Sequence, residues 1–218
     1  MAEVASVPAG YRLLLPSDWL QIPLRQGTTA EIERAVAAEV FARAPGDVPR
    51  DKLTPLRLEV ERRLRAVVAD AHRTNALEIY LPVRLAGERN LGASIVVSEA
   101  RLPSRSAADG PDVVVTDPVE VAARLLSKTP GTGVDLSSGE VDGALAVRRD
   151  QVMAADPGRG AEMDSRRVDY LVSVPGEPGL WFMAAFSTIG GGDPRDDLAE
   201  ALVEWFDALM ATFRWSWA

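Results

Sequence analysis

Four groups of residues have types and spacings that can do chemistry. The first is the stretch from Ser187 to Ala201, STIGGGDPRDDLAEA, where Gly190, Gly191 and Gly192 separate an apolar run from an amphipathic one. A glycine loop feeding a helix N-terminus can hold phosphate, because free N–H groups and the helix dipole favour an anion. A P-loop needs lysine and Ser/Thr after its glycines, and a dinucleotide fingerprint needs G-x-G-x-x-G; neither pattern is present. Asp193 stands where an N-cap belongs, Pro194 at the first helical position, and Asp196 and Asp197 in the first turn. Those carboxylates already meet the free N–H groups, so the loop predicts a capped helix start rather than an anion site. It also lacks the ligand pattern of a calcium loop.

The second group is His72, the only histidine. It sits at the end of an arginine-rich helical stretch, where a partly charged structural histidine is favoured. The alternative is a lone general base, but no G-x-S-x-G element accompanies it. The third group is arginine: Arg62, Arg63 and Arg65, and the pairs Arg148–Arg149 and Arg166–Arg167. The pairs lie near predicted strand ends and can form an anion-binding patch, or they can blunt an exposed sheet edge. In the helical stretch Glu59 and Glu61 are interleaved, which favours a salt-bridged solvent face. The fourth group is the ending FRWSWA, with Trp215 and Trp217 two residues apart. Two tryptophans in a tail expose much apolar area unless they dock, either on the chain's own sheet or on a partner or second copy. The candidate interaction residues are therefore Trp215, Trp217, Arg148, Arg149, Arg166 and Arg167.

Composition removes other chemistries. With no cysteine, disulfides, thiolate catalysis and cysteine-ligated metals are excluded. One histidine rules out a multi-histidine metal site within one chain, and no cofactor is expected. A net charge of -8 and a pI near 4.8 argue against nucleic acid, whose binders present a basic face. The first residues, MAEVASVPAGYRLLLPSDW, lack a basic region followed by a long apolar core, and no apolar run approaches the ~20 residues that span a bilayer. A cytoplasmic location without membrane insertion is the expectation. Arginine far outnumbers the two lysines, Lys52 and Lys128, a bias that suggests a GC-rich bacterial genome.

The elements that must position these groups follow from periodicity. YRLLLPSDWLQIPL (Tyr11 to Leu24) reads as two short strands around a turn. Thr28 and Glu31 have capping-box spacing, and Ile32, Val36 and Val40 share a helix face. A second helix is predicted over Thr54 to Arg73. LEIYLPVRL alternates with period two, and Gly92 to Leu102 is its partner strand, with Pro82 marking an edge or a bulge. Asp117, Pro118 and Glu120 start a helix that ends near Lys128. GVDLSS and VDGALAVRRDQVMA form a hairpin around SGE, followed by the strand SRRVDYLVSVP. LWFMAAFSTI (Leu180 to Ile189) is apolar on both faces, as a central strand is. The closing helix is predicted from about Pro194 to Phe213, burying Leu198, Leu202, Trp205, Phe206, Leu209 and Phe213.

Short turns between strands imply an antiparallel sheet. The expected fold is a single α+β domain over 1–218: an α/β/α sandwich whose mainly antiparallel sheet is covered by N-terminal, middle and C-terminal helices. Two stretches, YRLLLPSDWLQIPL and LWFMAAFSTI…LAEALVEWFDALMATFRW, resemble the PsbP-like family. That family includes a photosystem subunit, a Ran-binding import factor and actinobacterial lipoproteins. The resemblance implies such a sandwich and a binding or accessory role without catalysis. The region Thr28 to Arg73 is more helical than the family's pattern, and no lipoprotein signal is present. The leading reading is a non-catalytic bacterial protein that binds another protein or itself, as an accessory of a secretion or surface system. The alternatives are an enzyme or small-ligand protein using His72 or Arg148–Arg149 in a pocket between sheet and helices, and a structural subunit of a larger assembly.

Overall fold

The structure, a computed structural model, describes residues 6–25, 75–82, 92–102, 120–121, 131–159 and 161–218. Within them run the strands β1 (Gly10–Arg12), β2 (Trp19–Pro23), β3 (Ala76–Pro82), β4 (Ala93–Arg101), β5 (Thr132–Val141), β6 (Ala144–Met153), β7 (Ser165–Ser173) and β8 (Leu180–Thr188). The helix α1 (Asp197–Ala211) and the short strand β9 (Arg214–Ser216) close the chain. Seven strands form one sheet in the order β2-β3-β4-β8-β7-β6-β5, with every neighbouring pair antiparallel. Among the described residues β1 and β9 pair only with each other, as a separate two-stranded ribbon.

The expected sandwich covered by three helices is corrected by this architecture. The described residues are mostly strand, in nine antiparallel strands, and α1 is the one α-helix described over its whole length. The helices predicted between Thr28 and Arg73 lie outside the described residues. Of the predicted middle helix only Glu120 and Val121 are described, both helical.

The apolar strand read as central is central. β8 lies fourth of seven, and its two faces feed two different cores. Phe182, Ala184 and Phe186 point to the α1 side, where they join Phe206, Leu202, Val203, Met210 and Phe213. Trp181 and Met183 point the other way and pack with Leu102, Val121, Val147 and Leu171. This explains why a period-two polar pattern is missing from the β8 sequence: neither face meets water.

The hairpin turn falls three to four residues later than expected, at Asp142–Gly143 instead of Ser138–Glu140. β5 runs through Ser138–Glu140 to Val141, and the turn is Asp142–Gly143. Both turn residues have positive φ (49° and 73°), which the two-residue turns matching strand twist require and which Asp-Gly supplies readily. The two opening strands separate: β2 pairs with β3, whereas β1 pairs with β9 some two hundred residues away in sequence.

The glycine loop is a turn shaped around its own carboxylate. Asp196, not Asp193, is the N-cap of α1: its Oδ1 accepts from the Ala199 N–H at 2.7 Å. Its Oδ2 accepts from the Gly191 N–H at 2.6 Å, and these N–H bonds hold the Asp196 carboxyl below the usual carboxylate range. Gly190 has φ 58°, and a Cβ there would lie 2.5 Å from Asp196 Oδ1. Asp193 instead accepts from the Arg195 N–H at 2.9 Å, a local turn ahead of the helix. The loop therefore does contain an anion bound by backbone N–H groups, and the chain supplies it.

α1 buries Ala199, Leu202, Val203, Phe206, Leu209 and Met210. The expected stripe is shifted: Leu198 stays 36% exposed, and Trp205 is half-buried, stacked on Trp19 of β2 at 4.8 Å. Phe206 is fully buried and stacks on Phe186 at 5.0 Å. Phe206→Ala removes the ring that joins helix to sheet and is expected to cost about 3–5 kcal/mol of unfolding free energy, read by urea denaturation.

Candidate functional site

Strand alternation decides what the arginines do. Arg148 and Arg149 are adjacent on β6, so they point to opposite faces; Arg166 and Arg167 on β7 do the same. The four arginines do not form one patch. They form two ion clusters on opposite faces of the sheet.

On the α1 face, the Arg148 Nε and Nη2 donate to the two carboxylate oxygens of Asp207 at 2.9 and 3.0 Å. Arg166 bridges the Asp150 carboxylate, through Nε and through Nη2, and its Nη1 donates to Glu200 Oε1 at 3.0 Å. Asp150 also accepts from Arg148 at 3.3 Å. The Tyr170 hydroxyl donates to Asp207 Oδ1 at 2.9 Å. Burial, then the Asp207 charge, push the Tyr170 hydroxyl above its ordinary range. Burial opposes the charge on Arg148, yet the bonds and charge of Asp207 hold its guanidinium more basic than usual. The bond to Asp150 raises Arg166 likewise. Asp207 and Glu200 lie seven residues apart on α1, so this cluster fastens two turns of the helix to β6 and β7.

On the other face, both arginines converge on one buried carboxylate. Asp169 is fully buried. Its Oδ2 accepts from Arg149 Nη2 at 2.6 Å and Nε at 3.0 Å, and its Oδ1 accepts from Arg167 Nε at 2.8 Å. Arg149 is buried with it. The sequence holds a signal for both clusters that an arginine-first reading passes over. Asp150 directly follows the first pair and Asp169 lies two residues after the second, so the strand period places each acid on a face with one arginine of its own pair.

A third polar cluster has no sequence signature. The Tyr11 hydroxyl donates to Glu78 Oε2 at 2.6 Å, the Tyr80 hydroxyl donates to the same oxygen, and Gln21 Nε2 donates to Tyr80 at 3.4 Å. Burial is the largest cause that raises both tyrosine hydroxyls above their ordinary range. The residues come from β1, β2 and β3, and only the tertiary fold brings them together.

The two tail tryptophans differ. Trp215 is 8% exposed and sits among Phe182, Phe213 and Tyr11, with ring centroids 6.0 and 4.9 Å from the two phenylalanines. It is core. Trp217 follows β9 and is 50% exposed. Of the six residues singled out from sequence, Trp217 is the one with a large apolar surface open to solvent. His72, Arg62, Arg63 and Arg65 lie outside the described residues. Among the described residues no three histidine or carboxylate side chains gather to hold a metal, and no helix is long and apolar enough to cross a membrane.

No known family profile matches the chain, and no curated protein matches it. Several solved structures are similar to the chain, among them the following two. One is LpqN, involved in cell envelope biogenesis of Mycobacterium tuberculosis, at 14% identity and a TM-score of 0.47, over 95% of this chain and 86% of that one. The other is PA94 from Pseudomonas aeruginosa, a protein of unknown function described as a putative regulator. It is 19% identical with a TM-score of 0.37, over 61% of this chain and 78% of that one. The PsbP-like resemblance finds no family profile behind it. The cytoplasmic location expected from the N-terminal residues is not carried forward.

The geometry separates variants that unfold from variants that do not. Trp215→Ala is expected to cost about 3–5 kcal/mol in chemical denaturation, whereas Trp217→Ala changes stability by no more than about 0.5 kcal/mol. Asp169→Asn takes from Arg149 and Arg167 the buried carboxylate they share. The expected loss is about 3–5 kcal/mol, measured in the same way.

Proposed function

We propose that this chain is a non-catalytic accessory protein that binds another protein, in a secretion or surface system, with Trp217 as an anchor of the contact. The observation that supports this reading is the half-exposed Trp217 indole. It extends from β9, whose neighbouring Trp215 is fixed in the core and whose partner strand β1 ties down the N-terminal side. Anchoring limits the conformational entropy that the exposed ring loses on binding. Tryptophan is enriched among the few residues that dominate binding energy, because one ring buries a large area and its N–H can donate.

The arginine pairs support the reading indirectly. Their bonds run to Asp150, Asp169, Asp207 and Glu200 within the fold. They bind the chain's own carboxylates, and this is what an arginine pair serving the architecture does.

The test compares wild-type and Trp217→Ala chains, each purified under native conditions from the host with co-purifying proteins quantified. A protein retained by the wild type and depleted about tenfold or more in the variant is the expected result, the size of effect one interface tryptophan has. Equal recovery of every co-purifying protein with both chains would overturn the reading. Sedimentation of both chains separates a heterologous partner from self-association: if Trp217 anchors a dimer, the variant alone is monomeric.

A further inference from the structure

The seven-stranded sheet ends on two strands of different character. β2, at one end, is five residues long and closes on Pro23. A short edge strand that carries proline is a poor template for another strand. β5, at the other end, is ten residues long, and nine of them are exposed. Its sequence, TGVDLSSGEV, holds no proline, lysine or arginine, the residues that commonly blunt an edge. Among the described residues its one ladder partner is β6, which leaves an outer row of backbone N–H and C=O groups open. Val134 and Leu136 are 55% and 42% exposed. A Cβ at Gly139 would meet no atom within 4 Å beyond its chain neighbours.

The charges on β5 decide what such an edge accepts. The pairing with β6 is regular from Asp135 to Val141, beyond a register shift between Thr132 and Asp135. Over that stretch side chains alternate, so Asp135 and Glu140 point to opposite faces. When a second copy of β5 adds antiparallel about a two-fold axis normal to the sheet, residues opposite one another share a face. Asp135 of one copy then never stands opposite Glu140 of the other, whatever the register. With the axis at Ser138 the regular stretch pairs over its whole length. Ser138 faces its own counterpart, Ser137 faces Gly139, Leu136 faces Glu140 and Asp135 faces Val141. No like charges are opposed, an arrangement that would otherwise destabilise the pair. A foreign peptide strand is selected by pockets that take its alternate side chains. β5 is open on both faces and offers no such pockets, whereas its length and its charge placement match a copy of itself.

We propose that β5 is a self-association surface, through which two copies of this chain join edge to edge. The strands run antiparallel and are centred on Ser138, and the product is one continuous sheet with seven strands from each copy. The second copy pairs the outer N–H and C=O groups of β5 and covers part of the exposed Val134 and Leu136 side chains. The net charge of -8 on each copy opposes association, so added salt tightens the dimer. Trp217 follows the β1–β9 ribbon, outside this sheet, and takes no part in the contact. The self-association therefore stands or falls separately from the protein contact proposed for Trp217.

Sedimentation velocity of the full chain between about 1 and 100 µM tests this. The wild type is expected to shift from monomer to dimer within that range. Ser138 faces itself across the axis, so Ser138→Asp opposes two negative charges and Ser138→Lys two positive ones. Each variant alone is expected to dimerise about tenfold or more weakly than the wild type, and an equal mixture of the two to recover the dimer. Trp217→Ala is expected to dimerise as the wild type does. A wild type that stays monomeric at about 100 µM would overturn the proposal. So would a Ser138→Asp chain that dimerises as tightly as the wild type, or a dimer that Trp217→Ala abolishes. If the Ser138 variants do not fold, hydrogen exchange of the wild type decides. Protection of the β5 amides rises with concentration over the same range while that of β2 does not, and concentration-independent exchange in β5 would sink the idea.

Discussion

The rest of this structure depends on the closing of one sheet face by aromatic packing. Phe182 and Phe186 stand four residues apart on β8, on the side that α1 covers, and both are almost completely withdrawn from water. Phe206 of α1 stacks on Phe186, and Phe213, just beyond the helix, packs on Phe182. Tyr11 and Trp215 then close around Phe182 from the ribbon. A sheet face this apolar cannot remain solvated, since its burial is the main favourable term available to the fold. The position of α1, the path of the last six residues and the docking of the first strand all follow from covering these two rings.

Charge is used around this seam to set direction rather than to drive folding. The Arg148–Asp207 and Arg166–Glu200 pairs lie beside the apolar stripe of α1 and fix which way the helix lies over β6 and β7. On the opposite face Asp169 is shared by two arginines, an arrangement that is costly to desolvate and whose bonds are lost if either strand slips in register. A one-residue slip of β7 would send Asp169 to the α1 face and leave Arg149 opposite the wrong partner. The ribbon follows a similar rule on a smaller scale, with Glu78 and Asp142 fixing where it lies and the rings supplying the buried area.

Function in this chain is read from what is left after these internal commitments. The glycine loop resembles a phosphate cradle in sequence, yet its backbone N–H groups bind Asp196. The arginine pairs resemble an anion patch, yet they bind the chain's own acids. Trp217 is different in kind, because half of its surface remains outside a well-packed ribbon. That contrast is why a protein contact, rather than a bound small anion, is the reading carried forward.

Local pattern was enough to place β3, β4, β6, β7 and β8 and the closing helix, because alternation and helical period are properties of neighbouring residues. It was enough to identify β8 as doubly covered, since a strand with no polar face has nowhere else to go. Details that depend on one hydrogen bond were displaced: the N-cap moved from Asp193 to Asp196, and the hairpin turn moved from Ser138–Glu140 to Asp142–Gly143. Both acids at the helix start have capping chemistry, and only the packed loop decides which carboxylate faces the free N–H groups. The candidate site was legible as a list of residues but not as a site. Sequence alone singled out Trp215 and Trp217 together, and the pairing of β9 with β1 buried one and left the other exposed. It singled out four arginines, and the pleat sent them to opposite faces. The Tyr11–Glu78–Tyr80 cluster was not legible at all, because its members come from strands that meet only in three dimensions. The sequence by itself determined which segments alternate, which coil and which must be buried, for these follow from the chain's local periods. Only the tertiary structure decided which strand pairs with which and therefore which side chains face solvent, because pairing partners distant in sequence are chosen by the burial of a shared face.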